Sequence, residues 1–308
     1  MENITANVIE ATDIVKKYKN FTLDVPEFHI PKGFATALIG ENGAGKTTLL
    51  NILSGIRLDY EGQLKYFGQF DQNDLENNPE VKERIGYTGT DNYYLPQWTV
   101  GQIEELYSLL FENFDPAAFR TRAKELAIFG PGNFDASKKV NALSDGTKTK
   151  LMLAGVLARK TDLLIMDEPA SPLDPLMRDK LCELIREYLN TNEGGSVFFS
   201  THNISDMENV TDYAIIMEHG KIVEQGFVED LKEKYVIVKG EKENAAAARR
   251  TLYSFSESSY GFSGLCLADR LNELAGMNIQ SERASLTDIC VAVMKAHSKL
   301  NLGNDLDI

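Results

Sequence analysis

Nowhere does the chain carry the run of ~18–20 apolar residues that a membrane-crossing helix requires. Its opening segment, MENITANVIEATDIVKK, has no apolar core of the secretion-signal kind. The expectation is a cytoplasmic chain that cannot span a membrane unaided. Cysteine is scarce as well. Cys182, Cys266 and Cys290 are odd in number, far apart and in no CxxC pair, which argues against a disulfide frame or a zinc site and fits small buried thiols. Positive charge is in deficit: 32 lysines and arginines stand against 46 aspartates and glutamates, a net charge of −14 with histidine neutral. That field repels phosphate backbones, so no nucleic-acid partner is expected. Internal repeats and sustained heptads are missing, and the one biased stretch is the alanine run Ala245–Ala248.

What the 308 residues do have is an ordinary globular balance, 43% hydrophobic and 25% charged. There is room for about two domains of ~150 residues. Val8-Ile9-Glu10-Ala11 and Phe21-Thr22-Leu23-Asp24-Val25 alternate as strands do, and Ala35-Thr36-Ala37-Leu38-Ile39 reads as a strand buried on both faces. From about 91 to 142 the pattern turns helical. Thr99-Val100-Gly101-Gln102 has the form of a capping box, and Ile103, Leu106, Tyr107 and Leu110 behind it share one helical face. Further strand and turn units, Asp162–Pro169 and Ser196–His202, alternate with helical segments, the pattern of a largely parallel sheet with helices on its faces. Tyr213–Met217 and Lys221–Gly226 read as a hairpin turning at Glu218-His219-Gly220. A boundary falls near 235. Beyond it Val236–Gly240 starts a fresh strand, Glu243–Arg250 reads as an alanine-rich helix, and Leu286–Met294 as a closing helix.

Chemistry concentrates in three places. The buried strand ending at Ile39 runs into Gly40-Glu41-Asn42-Gly43-Ala44-Gly45-Lys46-Thr47-Thr48 and then a helical pattern, the order a phosphate-binding loop needs. Its glycines let backbone amides converge on a triphosphate, and the following helix N-terminus favours negative charge. Lys46 would reach the β- and γ-phosphates and the Thr47 hydroxyl would ligate magnesium. The apolar strand Leu163–Met166 delivers Asp167 to its C-terminal end, where open α/β sheets bind ligands. There Asp167 can hold magnesium, and Glu168 can polarise an attacking water. His202 closes another strand and stands within reach of the same γ-phosphate.

With these residues on the page, the chain resembles the ATP-hydrolysing subunit of an ABC transporter over about residues 8–230, of the exporter kind whose permease is a separate chain. Walker A is Gly40–Thr47, Walker B is Leu163–Glu168, the D-loop resembles Ser171-Pro172-Leu173-Asp174, and the histidine switch is His202. The signature segment is Leu143-Ser144-Asp145-Gly146-Thr147, and the aromatic that stacks on adenine matches Tyr18. The resemblance implies a phosphate-loop NTPase fold: a RecA-like α/β subdomain, an antiparallel β subdomain and an inserted helical subdomain at about 91–142, together residues 1–235. A small C-terminal α/β accessory domain, 236–308, follows. It implies ATP and Mg2+ as ligands. Gly40, Asn42, Gly43, Ala44, Gly45, Lys46, Thr47 and Thr48 would bind nucleotide together with Tyr18, Ser144, Gly146 and Asp174. Glu168, His202 and Lys46 would act in catalysis, and Thr47, Asp167 and Asp91 on the metal. It further implies a head-to-tail homo- or heterodimer with each ATP between the Walker A loop of one chain and the signature of the other. The dimer would be attached to the cytoplasmic face of the cell membrane only through the permease.

Two departures from the family pattern stand out. Asp145 puts a carboxylate at the signature helix tip, where Lys148 and Lys150 offset its repulsion of phosphate. The glutamine expected a few residues after Ile85-Gly86-Tyr87 is replaced by Thr90 and Asp91, and Gln97 lies too far along to stand in for it. Asp145 keeps an alternative open, a regulatory or resistance ATPase of weak turnover, beside a non-transport ATPase of the same class. A GTPase is disfavoured because no Asn-Lys-x-Asp base-reading segment occurs. Residues 71–116 hold ten acids against Lys82 and Arg84. That surplus reads either as a solvated acidic face or as a surface, including Glu104 and Glu105, that receives a basic helix of the permease.

Overall fold

The computed structural model describes residues 6–191 and 194–297. The ends of the two expected domains, 1–5 and 298–308, lie outside the described residues, as do 192 and 193. A six-stranded sheet forms the centre. Its order is Lys221–Phe227, Tyr213–Glu218, Ala35–Ile39, Ser196–Thr201, Leu163–Met166 and Ile85–Thr88, parallel except for the outermost Lys221–Phe227. All five residues of Ala35–Ile39 are buried, and the two-residue period of a strand sorts them. Ala35, Ala37 and Ile39, with Leu164, Met166, Val197 and Phe199, point to the layer of helices. Leu38, Leu163, Ile165 and Phe198 point to the opposite side, against the helix Lys46–Leu53 and a second sheet. That second sheet is antiparallel, in the order Thr22–Pro31, Asn7–Lys17, Glu61–Tyr66, Phe70–Asp71. Its first two strands run well beyond the short alternating segments read at 8–11 and 21–25, because long antiparallel pairing continues past the apolar alternation.

The helical insertion is narrower than 91–142. It consists of Val100–Leu110 and Pro116–Glu125, with a 3-10 turn at Val140–Ala142, and residues 91–98 form no helix. The capping box is present: the Thr99 hydroxyl accepts from the Gln102 amide, and the Gln102 side chain accepts from the Thr99 amide. Ile103 and Tyr107 are buried as expected, but Leu110 is 59% exposed because the helix ends there and its last turn overhangs. Glu104 fills the buried face instead. Its carboxylate takes Nε and Nη2 of Arg120 at 3.0 and 2.7 Å, joining the two helices. Part of the acidic surplus is thus structural. Asp71 and Asp115 are helix caps, and Asp74 completes the capping box of Asp71. Glu104 is unavailable to a docking partner, whereas Glu105 is exposed.

The C-terminal unit is a four-stranded antiparallel sheet, Ser256–Glu257, Gly261–Leu267, Tyr235–Glu241 and Ile279–Arg283, over its own small apolar cluster. The alanine-rich segment forms only a 3-10 turn, Lys242–Asn244, and the single turn Ala245–Ala248. Neither has a side-chain cap, and so short a helix has little stability of its own. The closing helix, Leu286–His297, turns back to the main body. Leu286, Ile289, Cys290 and Val293 are fully buried in the cluster that also holds Ile204, Met207 and Val210. Ser285 caps its first turn by accepting the Asp288 amide at 3.1 Å, and Glu208 of the main body adds a tie, accepting from the Leu286 amide at 3.0 Å and the Thr287 hydroxyl at 2.7 Å. Cys182, Cys266 and Cys290 are all free and buried. Glu208→Ala should therefore loosen the closing helix by about 1 kcal/mol, the usual net worth of a hydrogen bond. Amide exchange over 286–297 should rise roughly fivefold while the central strands keep wild-type protection.

Candidate functional site

The parallel register brings three loops to one edge of the central sheet. Ile39 pairs with Thr201 and Met166 with Phe199, so Gly40, Asp167 and His202 leave the sheet side by side. Gly40 has no room for a Cβ because the Met217 carbonyl lies against it. Gly43 and Gly45 adopt φ of +89° and +108°, the left-handed region that favours glycine. Gly45 caps the helix Lys46–Leu53 with no side-chain acceptor. The helices at Thr99, Asp115 and Ser144 do have side-chain caps. The first amides of the phosphate-loop helix are left for an anion.

Lys46 is 6% exposed. Its Nζ donates to the carbonyls of Gly40 at 2.8 Å and Glu41 at 3.3 Å, and lies 3.4 Å from Glu168 Oε1. The Thr47 hydroxyl donates to Asp167 Oδ2 at 2.8 Å. Glu168 has a φ of +49° and a side chain only 14% exposed, and its Oε2 sits 2.8 Å from His202 Nδ1. Its buried Oε1 makes no hydrogen bond, so the Lys46 ammonium is its electrostatic partner. Ser200 joins the two acids from the neighbouring strand. Its hydroxyl donates to Asp167 Oδ1 and accepts the Glu168 amide. Sequence reading passed over Ser200, since a serine two positions before a histidine carries no signal until strands are paired.

Two clefts share Asn42, Thr90 and Glu168. One, of about 320 Å3, follows the phosphate loop along Gly43, Gly45, Lys46, Thr47 and Thr48, with Phe21 in its lining. The other, of about 510 Å3, holds Asp91, Asp167 and His202, with Asp145 and Lys148 on its rim. Burial, followed by the charges of Asp167 and Asp91, pushes the Tyr87 hydroxyl up to about 12, so it stays a neutral donor to Asn51 Oδ1 at 3.0 Å.

Several expected residues sit elsewhere. Tyr18 is not in either lining. Its ring lies 5.5 Å from Lys16 Nζ and 5.6 Å from the Arg57 guanidinium, at the exposed corner of a turn, and Phe21 takes the place beside the loop. Ala44 is buried, and Ser144 and Gly146 lie outside the clefts. Ser144 caps the helix Asp145–Leu157, and Gly146 packs on the Pro172 carbonyl. Asp174 accepts the Met177 amide at 3.1 Å, at the start of the helix Pro175–Thr191. Asp145 pairs with Lys148 at 2.8 Å, and that ammonium holds its exposed carboxyl below the usual range. Among the described residues no three His, Cys, Asp or Glu side chains converge as a metal-holding group. Asp91 and Asp167 line the same cleft. Thr47 and Asp167 remain, two hard oxygen donors, which suits magnesium, an ion that keeps most of its shell for water and phosphate.

A family model described as ABC transporter matches residues 23–171. The tungstate uptake system ATP-binding protein TupC of Peptoclostridium acidaminophilum is 31% identical over 217 residues, which are 70% of this chain and 97% of that protein. A putative ABC transporter ATP-binding protein of Methanosarcina mazei is 26% identical over 75% of this chain, and the chain spans about half, 51%, of that relative's length. Among solved structures, an ATP binding subunit of an ABC transporter matches with a TM-score of 0.62 at 23% identity, over 73% of this chain and 92% of that one, a likeness of fold. The direction printed for TupC is uptake, which gives no support to the expectation of export.

One acid behind the phosphate loop sets a pH dependence. Glu218 is 3% exposed and accepts the Glu41 amide at 3.4 Å; burial, the largest influence, pushes its carboxyl up. The folded chain then holds this proton to a higher pH than the unfolded one, so its contribution to stability falls as pH rises from the ordinary value of 4.5 through the raised one. Glu218→Gln should remove that fall. The melting-temperature difference in favour of the variant should grow from about pH 4.5 upward and then level off.

Proposed function

The chain belongs to the ABC transporter family, as one of its ATP-binding subunits, and from this membership we propose that it binds ATP along the phosphate-loop groove, hydrolyses it at Glu168 and thereby drives a separate membrane-embedded permease. It is an ABC-type ATPase, and among the described residues no helix is long and apolar enough to cross a membrane. The observation that carries the reading is the placing of Glu168. One carboxylate oxygen rests on His202 at 2.8 Å and the other faces Lys46 at 3.4 Å. A carboxylate so oriented is suited to take a proton from attacking water, and Lys46 and His202 would stabilise charge on a transferring phosphoryl group. Thr47 and Asp167 would hold magnesium. Bound there, the ion withdraws charge from the phosphate oxygens.

A head-to-tail pair accounts for the signature helix. Asp145, Lys148 and Thr149 of that helix line the cleft of their own chain while Ser144 and Gly146 stay outside it, and family membership is what supports a second copy, homologous or identical, receiving the helix tip. The helix Asp145–Leu157 would offer its N-terminus to that copy's nucleotide. The Asp145 carboxylate at that tip is exposed and paired with Lys148. Residues 1–235 would form the catalytic unit and 236–308 an accessory unit. The assembly would sit on the cytoplasmic face of the membrane, with transported substrate and direction belonging to the permease.

Glu168→Gln keeps the shape and removes the base. Steady-state ATP hydrolysis should fall by about 10^2-fold or more, while ATP is still bound and light scattering shows an ATP-dependent dimer. Undiminished turnover in this variant would sink the reading, as would a wild-type chain without nucleotide affinity.

A further inference from the structure

The structure assigns Ser200 as a positioning residue for both acids of the site, an inference that rests on the ATPase reading above. Ser200 lies in the strand Ser196–Thr201 and is fully buried. The pairing of Met166 with Phe199 sets it one step on, beside the Asp167–Glu168 peptide. Its single hydroxyl has one proton and spare lone pairs, and uses both. The proton goes to Asp167 Oδ1, and a lone pair accepts the Glu168 amide at 2.9 Å. The Thr47 hydroxyl takes the remaining Asp167 oxygen, Oδ2, at 2.8 Å. Asp167 is thereby gripped between two hydroxyls and held toward Thr47.

The same bond acts on Glu168. This residue sits at φ +49°, a region uncommon for side chains with a Cβ, which persists only where the surroundings impose it. Pinning its amide to Ser200 keeps the backbone there, and the backbone aims the carboxylate at His202 and Lys46. One buried serine therefore sets the orientation of a metal ligand and of the proposed base together. It touches neither substrate nor metal. Alanine at this position would leave a buried amide without an acceptor and Asp167 free to turn. Threonine would keep the hydroxyl and suits a strand.

The full-length chain and its Ser200→Ala and Ser200→Thr variants should be compared by two measurements. The first is a titration of a fluorescent ADP analogue, in EDTA and across MgCl2 concentrations. The second is steady-state ATP hydrolysis. Ser200→Ala should bind the analogue in EDTA like wild type, need about 10- to 100-fold more Mg2+ for its metal-dependent gain, and lose kcat by a similar factor with little change in KM. Ser200→Thr should recover most of both. Wild-type Mg2+ dependence and kcat in Ser200→Ala would overturn the inference. So would a loss of EDTA binding in step with a lowered melting temperature, which marks a role in folding alone. If the wild-type chain shows no Mg2+-dependent nucleotide affinity, the ATPase reading fails and takes this inference with it.

Discussion

Parallel hydrogen bonding between neighbouring strands is the constraint on which the site rests. Ala35–Ile39, Ser196–Thr201 and Leu163–Met166 are far apart in the chain, yet their ladders hold them in one register at the centre of the sheet. Each strand is buried on both faces, so a slip by one residue would exchange the side chains packed on the helices for those packed on the second sheet. That cost keeps the register, and the register keeps Lys46, Glu168 and His202 together. No single loop contains the chemistry.

Burial gives these charges their meaning. Lys46 is almost wholly enclosed and satisfied by two carbonyls and a carboxylate. In such surroundings opposite charges attract more strongly than in water, and an unpaired one is costly. The same logic separates the acids of the surface. Asp145 is exposed and paired with Lys148, so it adds little net field at the signature tip. Glu104 is turned inward onto Arg120 and serves the fold rather than a partner. A count of charges along the sequence treats these acids alike, and only their surroundings distinguish them.

The C-terminal residues are tied to the catalytic body more closely than a boundary near 235 suggests. The strand sheet from 235 onward has its own apolar cluster, but the helix Leu286–His297 completes the main core. Glu208, which accepts from the Leu286 amide and the Thr287 hydroxyl of that helix, belongs to the segment following His202, and Asp206 of that segment is paired with Arg178 at 2.8 Å. The loop carrying the histidine is thus braced from two sides, by the helix after Asp174 and by the closing helix.

Much of the site was legible in the residues themselves. A phosphate loop is a local object: glycines at fixed spacing, then lysine and threonine at a helix start, act through backbone geometry that neighbours along the chain dictate. Asp167 and Glu168 could be read in the same way, because an apolar strand ending in two acids announces the ligand-binding end of a sheet strand. What sequence could not supply was anything that depends on which strand lies beside which. Ser200 bridges two acids more than thirty positions away. Phe21 lines the phosphate-loop cleft, whereas Tyr18, three residues earlier, lies against Lys16 and Arg57. Asp91 comes beside Asp167 in one cleft only through the fold, and Glu104 is claimed by Arg120. Local chemistry along the chain therefore determined which groups are available, and long-range packing decided their partners, since pairing across strands and helices obeys volume and register rather than spacing in sequence.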